Sequence, residues 1–375
     1  VQQTPVAKLQ RIVAAIVRRQ GVTMAKYSLP PGREELRRQI AVRVRDWGVR
    51  LDPDDIVITH GCMEAINLCL RAVAGPGAVI ALESPTYFGV LQIIESLGMK
   101  ALEIPTHPRT GILLDALEAA LQREPVKACI LMPNVANPLG STMPEAAKKQ
   151  VVRMLIEYDV PLIEDAIYTA LHFQANAPFA AKAYDTKGTV MLCGSFTKTL
   201  APGLRVGWVA PGRLHAQVQM LKFINSGGVS DVPQLAIAEF LANGGYERLL
   251  RALRRTYAEQ TELVRQAASR HFPRGTRITR PSGGYVLWLE MPGVDSVALY
   301  ERAFREGIGV APGPMFSASG RYRNCIRMNC GLAWSERTER AIERLGALAC
   351  ALQGKPDSVG ERAAPRMNTF AATTP

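Results

Sequence analysis

The sequence predicts an α/β fold: a large lobe with a mainly parallel sheet, followed by a smaller α+β lobe. Three observations carry this. From Asp55 to about Leu192, apolar runs at Ile56, Val79, Ala101, Ala128, Pro161 and Val190 alternate with helix-periodic stretches, the rhythm of βαβ units. After Trp208 the pattern turns helical, and then two further strand-like stretches appear before a final helix. At 375 residues with 47% apolar side chains, the chain exceeds one average domain and can bury a sizeable core.

In chain order, Thr4 to Gln20 reads as an amphipathic helix, followed by an extended arm through Pro31 and a second helix from Glu34 to Trp47. Ile56 to Thr59 is a strand, and His60-Gly61 turns it into a helix running through Asn67, Leu68, Leu70 and Val73. The remaining βαβ units follow to about Leu192. Tyr246 to about His271 is one long connecting helix, and Ile278 to Leu289 and Asn324 to Asn329 are strands of the smaller lobe. Ser335 to Leu352 is a helix, and the Ala-, Pro-, Thr- and Arg-rich tail lacks periodicity and is expected to be disordered. The expected division is residues 1–48 as an arm and helix contributing to the small domain and a dimer, 49–271 as the large domain, 272–352 as the small domain, and 353–375 as the tail.

The chemistry concentrates where strands end. Ser195-Phe196-Thr197-Lys198 leads to Arg205, so hydroxyls three and one residues before Lys198 and a guanidinium seven after it can converge on one phosphate. A lysine amine in that setting can form a Schiff base with the aldehyde of pyridoxal phosphate. Leu162-Ile163-Glu164-Asp165 places Asp165 at the end of an apolar strand, where ligands of open α/β sheets bind. There a carboxylate would keep the cofactor's pyridine nitrogen protonated. Taken singly, Asp165 reads equally as a helix N-cap. Asn137, in Pro133-Asn134-Val135-Ala136-Asn137-Pro138, and Tyr168 are candidate donors to the ring oxygen from opposite sides. The backbone at Gly61, Cys62 and Met63 opens a helix whose free N–H groups form a phosphate seat. Tyr87 is a candidate ring to stack on the pyridine, or a core tyrosine at a helix start.

In order and approximate spacing these pieces resemble the fold-type I pyridoxal-phosphate enzymes, the class I/II aminotransferases, from about Tyr27 to about Leu352. The resemblance implies a large domain with a seven-stranded type of sheet, and cofactor contacts at Lys198, Asp165, Asn137, Tyr168, Tyr87, Ser195, Thr197 and Arg205. It implies that Arg327, in Cys325-Ile326-Arg327-Met328-Asn329, binds the substrate carboxylate beside Asn137, as a planar fork suits. It further implies that Tyr27 reaches the phosphate of a neighbouring subunit, hence a homodimer with shared active sites. The sequence departs from the commonest pattern at Cys62 and Met63, where small residues or a hydroxyl are frequent, and at Thr197, where many members have Ser.

Within that family, Tyr27 to Leu36, Ile94 to Met99, Leu235 to Leu241 and Ala311 to Ser317 are most similar to the aminotransferase-like domain of MocR regulators, a branch of the GntR-type transcription factors. Two functions follow. One is the sensing domain of such a regulator, taking an amino acid or amine as effector, with or without transamination, and meeting DNA only through a winged helix-turn-helix domain that is not visible in this chain. The other is a free-standing aminotransferase moving an amino group between an α-amino acid and a 2-oxo acid.

Forty-five Lys and Arg against 33 Asp and Glu give a net charge of +12. Arginines spread along helical faces, as at Tyr246 to Arg265, explain it without a dedicated nucleic-acid surface. No apolar run approaches the about 20 residues of a membrane helix, and no signal-peptide layout opens the chain, so a soluble cytoplasmic protein is expected. An odd count of seven Cys argues for reduced thiols, and five scattered His show no metal spacing.

Overall fold

The computed structural model describes residues 5–19 and 26–354. The expected tail disorder therefore falls almost wholly outside the described residues. Eight strands form the large sheet: β1 (Val57–Thr59), β2 (Val79–Ser84), β3 (Lys100–His107), β4 (Gly111–Ile112), β5 (Val126–Leu131), β6 (Leu162–Asp165), β7 (Val190–Ser195) and β8 (Gly207–Ala210), in the order β1-β8-β7-β6-β5-β2-β3-β4. β7, β6, β5, β2 and β3 are mutually parallel. β8 runs antiparallel to both β7 and β1, so β1 points the same way as the parallel set. The eighth strand, β4, is a two-residue hairpin partner of β3 at the sheet edge, added to the expected seven.

Both faces of the sheet are buried, as strand composition requires. Ile80, Leu82, Ala128 and Ile130 pack under α3 (Cys62–Val73), α4 (Phe88–Ser96) and α7 (His215–Ser226). The alternate residues Ala81, Cys129 and Leu131 pack against α5 (Leu114–Arg123) and α6 (Glu145–Glu157). This period-2 division of side chains between two helical layers is why residues 79–82 of β2 and 128–131 of β5 read as unbroken apolar runs.

α1 (Val6–Arg19) and α2 (Glu34–Arg43) differ from expectation. Leu9, Ile12, Ile16, Leu36 and Ile40 bury in one core with Ile237, Phe240 and Leu241 of α8 (Asp231–Ala242), on the large lobe and not on the small one. The last turn of the second helix, Val44–Trp47, winds as a 3-10 turn closed by Gly48 in the left-handed region.

α9 (Gly245–His271) joins the lobes as a single helix of 27 residues. Its first half, with Tyr246, Leu250 and Tyr257, belongs to the large-lobe core, and Val264, Ala267 and Ala268 belong to the small-lobe core. The small lobe is an antiparallel sheet of β9 (Arg277–Ile278), β10 (Val286–Glu290), β11 (Ala311–Pro312) and β12 (Cys325–Asn329), ordered β11-β12-β10-β9. α10 (Ser296–Arg305) and α11 (Glu336–Leu352) cover it. The stretch expected as strand from Ile278 to Leu289 divides into β9 and β10, because Gly283 and Gly284 turn the chain against Leu171 and Val135 of the large lobe. No helix among the described residues is long and apolar enough to cross a membrane.

Candidate functional site

β1, β2, β5, β6 and β7 all end at the same edge of the sheet, so the segments that follow them converge. They enclose, with the small lobe, a cavity of about 300 Å3. Lys198 and Thr197 follow β7, Asp165 and Tyr168 come from β6, and Asn137 follows β5; all line it. Tyr87 after β2, Cys62 and Met63 after β1, and Arg205 before β8 line it as well, and β12 contributes Arg327. Larger clefts of about 570 and 790 Å3 contain none of Lys198, Asp165 or Arg327.

The phosphate side is built by close approach. Gly61 caps α3 with φ +85°, and a Cβ on Gly207 would stand 2.5–2.6 Å from the Gly61 backbone and 2.9 Å from Cys62 N. Arg205 holds the left-handed conformation, φ +51°, which costs a non-glycine residue about 1–2 kcal/mol. That turn points its guanidinium at the helix start, where Nη2 donates weakly to His60 O at 3.4 Å. Ser195 Oγ accepts from Thr197 N at 3.1 Å and lies 2.8 Å from Thr197 Oγ1. Ser195 itself is half-buried behind the cavity wall, and Arg205 has no acidic partner among the described residues. Gly207→Ala is therefore expected to destabilise the fold by about 1–3 kcal/mol, the range for overpacking, and to loosen anion binding at Gly61. An unchanged thermal midpoint together with unchanged phosphate-ester affinity would refute this account of the close contact.

At the opposite wall Asp165 is buried, and its Oδ1 accepts from Ile167 N at 3.0 Å and from Cys62 Sγ at 3.3 Å. Oδ2 has no hydrogen bond among the described residues. Burial pushes the carboxyl up, opposed by the Ile167 amide, the Cys62 thiol and the charge of Lys198. Lys198 makes no hydrogen bond or ion pair among the described residues, and its Nζ stands 5.9 Å from the Tyr168 ring centroid. Burial lowers its pKa, Arg327 lowers it further, and Asp165 partly opposes both. The amine is thus available as a free base closer to neutrality than an ordinary lysine. Burial raises the Tyr168 hydroxyl to about 12, so it serves as a donor throughout the working pH range.

Arg327 Nη1 donates to Asn137 Oδ1 at 3.2 Å, and its Cζ lies 5.2 Å over the Phe316 ring. Its Nε is buried and without a partner, and no carboxylate pairs with it among the described residues. A buried guanidinium in that state is a receptor for an anion. The donor set fits pyridoxal phosphate: a cationic and N–H-rich end for the phosphate, a free carboxylate oxygen for a ring nitrogen, and a free amine between them. Tyr27 is 93% exposed and does not line the cavity. Tyr285, Phe88 and Asn329 line it without having been singled out from the sequence. Tyr285 meets Tyr168 edge-to-face at 5.5 Å. Its only local signal was the preceding Gly283-Gly284, where a Cβ on Gly283 would stand 2.6 Å from Leu171 O.

Comparison with known proteins agrees with this geometry. The family described as aminotransferase class I and II matches residues 2–345. Two uncharacterized HTH-type transcriptional regulators of Escherichia coli, both of the MocR type, are similar. YjiR is 42% identical over 339 residues, covering 90% of this chain and 72% of the regulator. YdcR is 41% identical over 345 residues, covering 92% and 74%. The solved structure of LysN, an α-aminoadipate aminotransferase of Thermus thermophilus, superposes with a TM-score of 0.86 at 30% identity, covering 94% of this chain and 90% of LysN. That structure holds N-(5'-phosphopyridoxyl)-L-leucine. A match from one end of the described fold to the other, carried by a sheet edge that assembles lysine, aspartate and arginine around one cavity, makes this chain a member of the pyridoxal-phosphate-dependent class I and II aminotransferase family.

Proposed function

We propose that this chain is the pyridoxal-phosphate-binding, effector-sensing domain of a MocR-type transcriptional regulator, with an α-amino acid or amine as its effector. The observation that carries the reading is the 42% and 41% identity to two HTH-type regulators over nine-tenths of the chain. When bound, pyridoxal phosphate supplies an electron sink for charge developing at the effector's α-carbon. Lys198 anchors it and afterwards holds or moves the α-proton on Nζ. Asp165 would pair with the ring nitrogen, Asn137 and Tyr168 would donate to the ring oxygen, and Tyr87 would stack on the ring. Gly61, Cys62 and Met63 N–H groups, with Ser195, Thr197 and Arg205, hold the phosphate. Arg327 takes the effector carboxylate. An effector that binds one arrangement of the two lobes better than another shifts the population, and that shift is the signal.

The full set around Lys198 also favours a second reading, a free-standing aminotransferase, supported by the superposition on LysN over 94% of the chain. In either reading the working unit is a cytoplasmic homodimer. Met220, Phe223 and Ile224 form an exposed apolar stripe on α7, and Tyr27 and Leu29 are exposed on the arm, free to serve a neighbouring copy.

Two measurements test the proposal. Loading the purified chain with pyridoxal phosphate and titrating a panel of amino acids and amines should change the visible absorbance for some of them; a flat response across the panel would defeat both readings. The mass of the native polypeptide, compared with 40.9 kDa, decides between them. A heavier species carrying a DNA-reading domain supports the regulator, and a species of this mass supports the enzyme.

A further inference from the structure

Cys62 occupies the first position of α3, yet its side chain turns away from the phosphate seat and toward the opposite end of the cavity. Its Sγ reaches Asp165 Oδ1, 103 residues away, at 3.3 Å. Cys62 is 3% exposed, and among the described residues its thiol's only hydrogen-bond partner is that carboxylate. Oδ1 also accepts from Ile167 N, so two donors from different elements saturate one oxygen and leave the other free toward the cavity. With only the Ile167 amide the carboxylate plane could swing about the Cβ–Cγ bond, since one donor holds one oxygen but not the plane. The second donor removes that freedom.

We propose that Cys62 is a positioning residue for Asp165: its thiol donates to Oδ1 and so holds the carboxylate plane with the free oxygen toward a protonated ring nitrogen. This rests on the reading of Asp165 as the cofactor's ring partner. Cys62 acts as a protonated donor and not as a nucleophile, since burial and the neighbouring carboxylate both push its pKa well up. One residue then serves both ends of the cofactor, its backbone N–H at the phosphate and its side chain behind the ring.

The sign of the effect follows from which form the thiol holds. Donation stabilises ionised Asp165, so removing it raises the Asp165 pKa. As pH falls through that raised value, the carboxylate is protonated and its pairing with the ring nitrogen is lost. The acid limb of pyridoxal phosphate affinity therefore moves to higher pH in Cys62→Val, which deletes the donor and adds one branch carbon. The expected shift is about half a pH unit, with affinity up to about threefold weaker along the acid limb, as suits a weak donor to a charged acceptor. Cys62→Ser, a stronger donor, should restore both.

The experiment is a double-mutant cycle, with pyridoxal phosphate dissociation constants measured by absorbance from pH 5 to 8 for wild type, Cys62→Val, Cys62→Ser, Asp165→Asn and Cys62→Val/Asp165→Asn. Loss of the Cys62→Val effect in the Asp165→Asn background supports the proposal. An equal effect in both backgrounds assigns Cys62 to packing and overturns it, as does an unmoved acid limb in Cys62→Val. Wild-type chain that fails to bind the cofactor, or Asp165→Asn that binds it as wild type does at every pH, overturns the reading of the site beneath it. Thermal unfolding of each apoprotein, together with Cys62→Ser, separates misfolding from all of these.

Discussion

Lys198→Ala abolishes covalent retention of pyridoxal phosphate and leaves the fold intact. Wild-type chain, loaded with the cofactor and reduced with borohydride, should gain one phosphopyridoxyl group on the peptide containing Lys198, and the variant should gain none. The fold survives because Lys198 makes no ion pair or hydrogen bond among the described residues that truncation would orphan. Its amine is buried beside Arg327 and Arg205, and both depress its pKa after burial itself. Removing a desolvated cation from two others relieves repulsion, so the apo variant should melt at the wild-type temperature or above it. An adduct that persisted at full yield in Lys198→Ala would place the anchor on another residue. A midpoint several degrees lower would mean that Lys198 holds structure as well.

The large-lobe half of this site was legible because its residues follow local signals. Asp165 ends an apolar strand, Lys198 follows another by three residues, and Gly61 marks a strand-to-helix turn; sheet topology then brings these ends together without further instruction. Arg327 was reached only through family resemblance, since an arginine within a short strand carries no local sign of its target. Tyr285, Phe88 and Asn329 were missed for a related reason. Tyr285 and Asn329 enter the cavity through the apposition of the lobes, which depends on contacts such as Gly140 against Pro281, where an added Cβ would stand 2.2 Å away, and Phe88 of the large lobe meets Phe316 of the small one at 5.9 Å. The packing of α1 and α2 was likewise illegible, because an amphipathic helix announces that it has a buried face and not which partner covers it. The bond between Cys62 and Asp165 lies beyond any local reading, since it depends on β1 and β6 ending at the same edge.

The interior around Asp165 is also a matter of competition between acids. Glu83 is buried near it, with Oε1 lacking any partner and Oε2 accepting only from Met132 N at 3.2 Å. Burial raises Glu83 to about 8, and the charge of Asp165 contributes. Asp165 is better solvated by the protein, through the Ile167 amide, the Cys62 thiol and Lys198. Glu83 therefore keeps its proton more readily than Asp165, which favours negative charge at the cavity where a ring nitrogen would meet it.

Arg327→Leu should cost amino-acid effectors about 10²–10³-fold in affinity, the loss typical of removing one partner of a buried charge pair. The comparison that isolates the cause is between an α-amino acid and the amine that lacks its carboxylate. In the wild-type chain the guanidinium, with Nη1 on Asn137 and Nε unfilled, favours the amino acid. In Arg327→Leu the two should bind alike, because the other guanidinium lining the cavity, Arg205, is engaged at the phosphate end and leaves no planar pair of donors for a carboxylate. Arg327→Lys keeps the charge but not the fork, and should recover only part of the preference. The free amine should be nearly indifferent to all three side chains. If amino acid and amine lost affinity equally in Arg327→Leu, the residue would be shaping the cavity and not reading the carboxylate, and the effector's anionic group would have to be bound elsewhere.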